Sequence, residues 1–322
     1  MGYKYIGDQN FLSFQFESGT YASPSGARQW IGLCQDHSPE EVVNVEQVRY
    51  QGNYSRGIGI FTYGKLENGG TFNYYPQDFK FLGFAIGSVQ NLTGSHLITE
   101  TNSNNTNYAV ASQSLQSFTL EDSKRTAATG SNFIRTYNCC IVDTFKLRLS
   151  EGEIVNCEVG YKAQSVVYSS GTVTTVTART TKPYMWSNTR IHMPSGTPMT
   201  NCTTFDFTVN NNLESRFPLN GSRTVEQLVP LNRDYSVDAT FLMDSANANT
   251  FYNTYYKEGG SFNAMIELKA TAGSAFIIMS GCRITDMTVP SPVEGLTEQT
   301  FTIIPTNVAI DVYDTIGSYS AW

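Results

Sequence analysis

The sequence predicts a mainly β protein. It reads as two tandem β-sandwich or partly open barrel units, each with one short flanking helix. Three observations carry that prediction: a composition suited to sheets, short alternating or β-branched runs bounded by turns, and a stretch that occurs twice. The chain has 322 residues, of which 40% are hydrophobic, 13% aromatic and only 15% charged; ordinary globular domains carry about a quarter charged residues. Aromatic and β-branched side chains pack well on a pleated surface, and uncharged Thr, Ser and Asn can form its polar face. Low charge also suits a subunit covered by its neighbours, although composition alone fits any all-β protein equally.

The repeated stretch is residues 133–152, FIRTYNCCIVDTFKLRLSEG, which lies over residues 276–295, FIIMSGCRITDMTVPSPVEG. Seven positions match: Phe133/Phe276, Ile134/Ile277, Cys139/Cys282, Ile141/Ile284, Asp143/Asp286, Glu151/Glu294 and Gly152/Gly295. About one match is expected by chance. Residues 134–143 and 276–286 read as strands, and the Glu-Gly pairs read as turns. The strand after each turn alternates as Val155, Cys157, Val159, Tyr161 in one copy and as Thr297, Gln299, Phe301, Ile303 in the other. That is one residue out of phase, as a bulge or longer turn would make it. The division is a first unit at 1–165, a segment at 166–182 that is either a linker or a projecting hairpin turning at Ser170-Gly171, and a second unit at 183–322.

Taken in order, residues 1–29 hold Phe11, Phe14 and Phe16 and then a Gly/Ser/Pro stretch; they read as a strand and loop, or as an arm reaching a neighbour. Residues 30–34 make a short strand, and residues 42–50, from Val42 to Tyr50, alternate as another. A turn is expected near Gly57 and Gly59, and a strand from Thr71 to Tyr75. Phe79, Leu82 and Ile86 fall at helical spacing between Pro76 and Gly87, which marks a short helix. Residues 91–114 read mostly as loop and 115–121 as a strand. In the second half, strands are expected at 184–193, from Thr204 to Val209, from Tyr235 to Met243 and at 261–269. Asp244-Ser245 can cap a second short helix that ends at Gly259-Gly260.

No catalytic, cofactor or metal motif is present, and the chain reads as a non-enzyme. There is no nucleophile elbow, phosphate loop, zinc-protease helix or calcium loop. His37, His96 and His192 stand in separate segments. Asp206, Glu214, Asp234 and Asp238 offer carboxylates, whose pairing could serve glycoside hydrolysis only at the right separation. Six cysteines, Cys34, Cys139, Cys140, Cys157, Cys202 and Cys282, lack CxxC spacing and read as buried thiols. The net charge of −7 argues against a nucleic-acid-binding surface. The opening MGYKYIGDQNFLSF has no signal-peptide pattern, and no apolar run is long enough to span a membrane.

The runs WIGLCQDHSPEE, VRYQGNYSRGIGIFTYGKLENGGTFNYYPQDFKFLGFAIGS, FDFTVNNNLESRFPLNGSRTVEQLVPLNRDYSVDATFLMD and CRITDMTVPSPVEGLTEQTFTIIPT resemble the tail tube protein family of tailed bacterial and archaeal viruses. The resemblance covers about residues 17–312. It implies tail-tube-type units whose inner strands join between subunits into a barrel around a lumen, with rings stacked into a tube. It implies a virion tail protein assembled in the host cytoplasm. The partners would be its own copies, the tail terminator, tape measure and distal tail or baseplate proteins, with double-stranded DNA passing through. A duplicated chain then implies a trimeric, pseudo-hexameric ring; a hexamer with one unit outside the wall is the alternative. The candidate lumen or ring-interface strands are those bounded by Val42 and Tyr50, Thr71 and Tyr75, Thr204 and Val209, and Tyr235 and Met243. An extracellular carbohydrate-binding or adhesin sandwich is the rival function.

Overall fold

The computed structural model describes residues 10–19, 21, 23–48, 60–92, 94–100, 115–125, 132–173, 176–194, 196, 198–243, 248–270, 273–289 and 296–314. In chain order the elements are β1 (Asn10–Phe16), β2 (Gln29–Trp30), β3 (Leu33–Val48), β4 (Ile60–Tyr75), α1 (Lys80–Ile86), β5 (Ser88–Leu92), β6 (Ser95–Thr99), β7 (Phe118–Lys124), β8 (Phe133–Ser150), β9 (Asn156–Ala163) and β10 (Ser165–Ser169). Then come β11 (Thr189–His192), β12 (Cys202–Asn210), β13 (Glu214–Arg216), β14 (Gln227–Val229), β15 (Asp234–Leu242), α2 (Ala248–Thr250) running on as a π-helical turn (Phe251–Lys257), β16 (Phe262–Ala270), β17 (Gly273–Thr288), β18 (Glu298–Ile304) and β19 (Asn307–Asp314). The mainly β expectation and the two short helices are observed, as sheets consistent with a β-sandwich and not as a closed barrel.

One antiparallel sheet runs through the whole chain in the order β3-β4-β9-β8-β12-β15-β18-β17. Two further sheets form the second layer: β2-β1-β7-β8-β10, and β11-β16-β17-β19-β6-β5. The long strands β8 and β17 belong to both layers, crossing from one to the other at a bulge. Phe118 pairs with Cys140 and Leu120 with Tyr137; Phe262 pairs with Cys282 and Ala264 with Met279. The residues that make the bends, Cys139 and Gly281, have φ of 54° and 60°. Each N–H there is met by a side-chain oxygen, Glu17 Oε1 at 3.0 Å and Asn263 Oδ1 at 3.1 Å. Glu17 is fully buried and also accepts from Ser117 and Thr119. A buried carboxylate is tolerated because donors surround it.

These registers match Cys140 to Cys282 and Tyr137 to Met279, one residue away from the sequence alignment, which had set Cys139 on Cys282. The same phase holds across the next pair of strands, where Val159 pairs with Phe145 and Phe301 with Met287. So the displacement seen in sequence after the Glu-Gly turn already exists upstream of it.

The core lies between the layers. In the first half α1 is buried throughout, and Phe81 stands 5.0 Å from Phe14, 5.1 Å from Phe72 and 5.5 Å from Phe118 by ring centroids. In the second half Phe251 of the π-helical turn fills the equivalent place, 5.4 Å from Phe301. Fully burying one such ring contributes about 1.5–3 kcal/mol. Lys80 of α1 is buried too; burial pushes its amine below the usual lysine range, and Gln29 and Asp78 receive it.

Several expectations change. Residues 91–92 and 95–99, read as loop, belong to the paired strands β5 and β6, and β6 adds to β19 across the chain, with Ile310 opposite Ile98. Residues 165–169 are neither linker nor projecting hairpin but a strand paired with β8. Strand 30–34 is broken at Gly32, between β2 and β3. Residues 186–188 form a 3-10 turn ahead of β11. Of the cysteines, Cys34 is exposed and Cys202 half-buried, while the other four are buried. The turns expected at Gly57-Gly59 and Glu294-Gly295 and the cap at Asp244-Ser245 lie outside the described residues.

Candidate assembly surface

The eight-stranded sheet turns one face to the core and leaves the other open. Alternation sets which residues appear there. One row crosses six strands as Asn156, Arg148, Asp206, Asp238, Thr302 and Asp286, each directly opposite the next. A neighbouring row is almost pure threonine: Ser150, Thr204, Thr240, Thr300, Thr288. Three cations of this face are held by acids: Lys146 by Asp206 at 2.9 Å, Lys162 by Asp143 at 3.4 Å, and Arg148 by Glu158; Arg283 of β17 is exposed on the same face. Asp238, Asp234, Asp286 and Glu298 remain beyond those pairs, so the face is net acidic.

The sheet has two open ends. Among the described residues β3 pairs only with β4, and the C-terminal part of β17 only with β18. Pro39 lies in β3, as suits an edge strand. Past Glu41, β3 and the start of β4 leave the body as an arm, with Val45 opposite Tyr63 and Val48 opposite Ile60, all four exposed. The connection carrying β13 and β14 braces the arm's base. Leu66 N–H donates to Arg223 O at 2.8 Å, Arg223 Nε donates to Gly64 O at 2.8 Å, and the guanidinium sits 5.5 Å over the Tyr63 ring.

Of the residues read from sequence, Val42 is exposed on the arm, and Thr71 and Thr204 stand on the open face. Tyr75 ends β4 opposite Leu33. Val209 and Tyr235 point into the core; burial pushes the Tyr235 phenol up, and it donates to Glu100. Met243 lies just past β15, exposed, its N–H on Thr297 O at 2.9 Å. Tyr50 lies outside the described residues. The strands named from sequence thus share one sheet, but β8, β9, β17 and β18 of that sheet were missed. Their signal was present: FKLRLS and CEVGYK alternate polar and apolar. Asp206 and Asp238 do come together, as cross-strand partners, yet Lys146 holds the first and Thr302 donates to the second at 2.9 Å. Each histidine faces an acid: His37 faces Asp122, His96 faces Asp314 and His192 faces Glu267. Among the described residues no three metal-binding side chains converge.

An extended, edge-open sheet with a protruding arm defines a structural β-subunit built to pair with others. The chain belongs to the phage tail tube protein family, whose sequence profile matches residues 47–307. It is therefore a tail component of the virion that self-assembles into a tube. Comparison with individual curated proteins finds no match.

Proposed function

We propose that the chain is the major tail tube subunit, that it carries two copies of one strand set, and that three chains close into a pseudo-sixfold ring. Stacked rings would form the channel through which double-stranded DNA leaves the capsid. The observation that carries this reading is the pairing of β8 with β12 inside one chain. By register β3 is the counterpart of β12: Cys34 and Cys202 precede the same bulge, and each thiol donates to the carbonyl two residues on, at 3.3 and 3.5 Å. Likewise β17 is the counterpart of β8. The free edges of β17 and β3 therefore match the joint already formed within the chain. Copying that joint sets Thr288 of one molecule opposite Glu40 of the next, as Lys146 stands opposite Thr208.

Head-to-tail contacts of this kind close when the rotation allows, and closure removes the unpaired edges. Two strand sets per chain favour three chains over six. Both sets lie in one continuous sheet, which speaks against a decorating outer unit. The open face would line the lumen, where unpaired carboxylates repel phosphate and let DNA slide. Tail terminator, tape measure and distal tail proteins would meet the tube's ends.

The test uses Glu40→Cys with Thr288→Cys in a Cys34→Ser background. Oxidation is expected to link chains into dimers and trimers on a non-reducing gel. The smallest closed ring should weigh three times the 35.7 kDa of one chain, with rings roughly 10 nm across in negative stain. A ring of six chains, or no link between copies, would overturn the arrangement.

A further inference from the structure

The arm leaves the body at a knot of polar side chains, in which Asp122, Tyr137 and Tyr161 are buried, Glu41 and Arg135 half-buried and Tyr168 exposed. Glu41 of β3 accepts from Tyr137 OH at 3.2 Å and from Tyr168 OH, with Arg135 Nη1 at 3.8 Å. Arg135 pairs at its other end with Asp122, and His37 Nδ1 stands 3.5 Å from the same carboxylate. His37 Nε2 lies 2.8 Å from Tyr161 OH, and the Arg28–Glu121 pair is next along β7.

The second strand set has the same register and none of this chemistry. Asp122, Arg135 and Tyr168 stand side by side on β7, β8 and β10. Their counterparts on β16, β17 and β19 are Ile266, Ile277 and Ile310. Tyr137 corresponds to Met279, Glu41 to Val209 and His37 to Phe205, and all six counterparts are buried. An apolar core therefore holds this arrangement of strands without any charge. Buried ionic groups rarely add stability over apolar ones of similar size, and their best-attested use is to fix one geometry. The two sets part company at the next residues of the chain. After Glu41 the chain runs on as the exposed arm; one residue past Val209, β12 ends and the chain folds back.

We propose that the knot is a positioning device: Glu41, with Tyr137, Tyr168 and Arg135 around it, fixes the direction in which the arm leaves the body, and tube assembly depends on that direction. Apolar packing at position 41 would hold the strand but not its angle, because dispersion is non-directional whereas O–H and N–H donors are not. The assembly part of this inference rests on the tube reading above; the arm's direction does not.

The test replaces the knot by its apolar counterparts, combining His37→Phe, Glu41→Val, Asp122→Ile, Arg135→Ile and Tyr137→Met. Tyr168→Phe and Glu41→Gln, made singly, are mild variants in case the fivefold change fails to fold. A fluorophore on Val45→Cys in a Cys34→Ser background reports the arm in the dilute monomer. The fivefold variant is expected to unfold no earlier than wild type on heating, to lose arm anisotropy, and to form tubes at least fivefold more slowly. The single variants should show the same losses to a smaller degree. Unchanged anisotropy in every folded variant would overturn the proposal, as would lowered anisotropy with undiminished tube formation. If wild type forms no rings, the tube reading fails while the anisotropy still decides the role of the knot.

Discussion

Asp122 ties pH to stability. Burial alone would raise its carboxyl, but the hydrogen bonds and charges of His37 and Arg135 outweigh burial, and the group titrates below its ordinary range. Its folded pKa is then lower than in the unfolded chain, about 3.9. The stabilisation it contributes is complete above the unfolded value and is lost as pH falls through the folded one. The difference in unfolding free energy between wild type and Asp122→Asn, from urea titration, should shrink as pH falls below about 4. A difference that persists unchanged to pH 2 would mean another group governs the acid limb. This residue also marks where sequence reasoning stopped. Alternation correctly put Val155, Cys157, Val159 and Tyr161 inside. It could not reveal that Glu121, Asp122 and Ser123 are buried as well, because β7 is covered on both faces and a polar residue in a strand is read as facing water.

The bulges of β8 and β17 show how one element can be built with different residues. Gly281 takes φ of 60°, and a Cβ there would lie 2.2 Å from Thr306 Oγ1. Cys139 takes nearly the same backbone with a side chain; its counterpart of Thr306 is Gln164, as the matching bonds Thr306 N–H to Ser280 O and Gln164 N–H to Asn138 O indicate. Gly281→Ala should therefore destabilise by about 1–3 kcal/mol, and Gly281→Ala with Thr306→Gly should recover the part due to the clash. Denaturant midpoints of the two variants decide this; equal losses would assign the whole cost to backbone strain. At this scale the sequence was legible where strands were short and alternated, as in β12 and β15. It was misleading for β3 and β4, where Pro39 and a Gly-rich run interrupt the alternation although pairing continues from Leu33 to Val48. Long-range pairing, not local propensity, sets those lengths.

For the whole molecule, the tube reading proposed above makes the charge of the open face decide whether DNA would slide past it or be held. The row that includes Asp206 and Asp238 puts two carboxylates directly opposite one another, an arrangement that costs the isolated sheet a few tenths of a kcal/mol. Its persistence is understandable if the face must stay acidic. Asp206→Lys with Asp238→Lys raises the formal charge of each chain by four, from −7 to −3, and a closed ring would gather that change around one channel. Double-stranded DNA should then bind to assembled rings at low salt and dissociate as salt rises, since each phosphate neutralised releases a counterion. Wild-type rings should show no binding under the same conditions. The measurement is fluorescence anisotropy of a short labelled duplex titrated with rings across a salt series. Equal binding by wild type would mean that this face does not act as a repulsive lining. Binding by the lysine variant that ignores salt would mean that the DNA sits elsewhere on the ring.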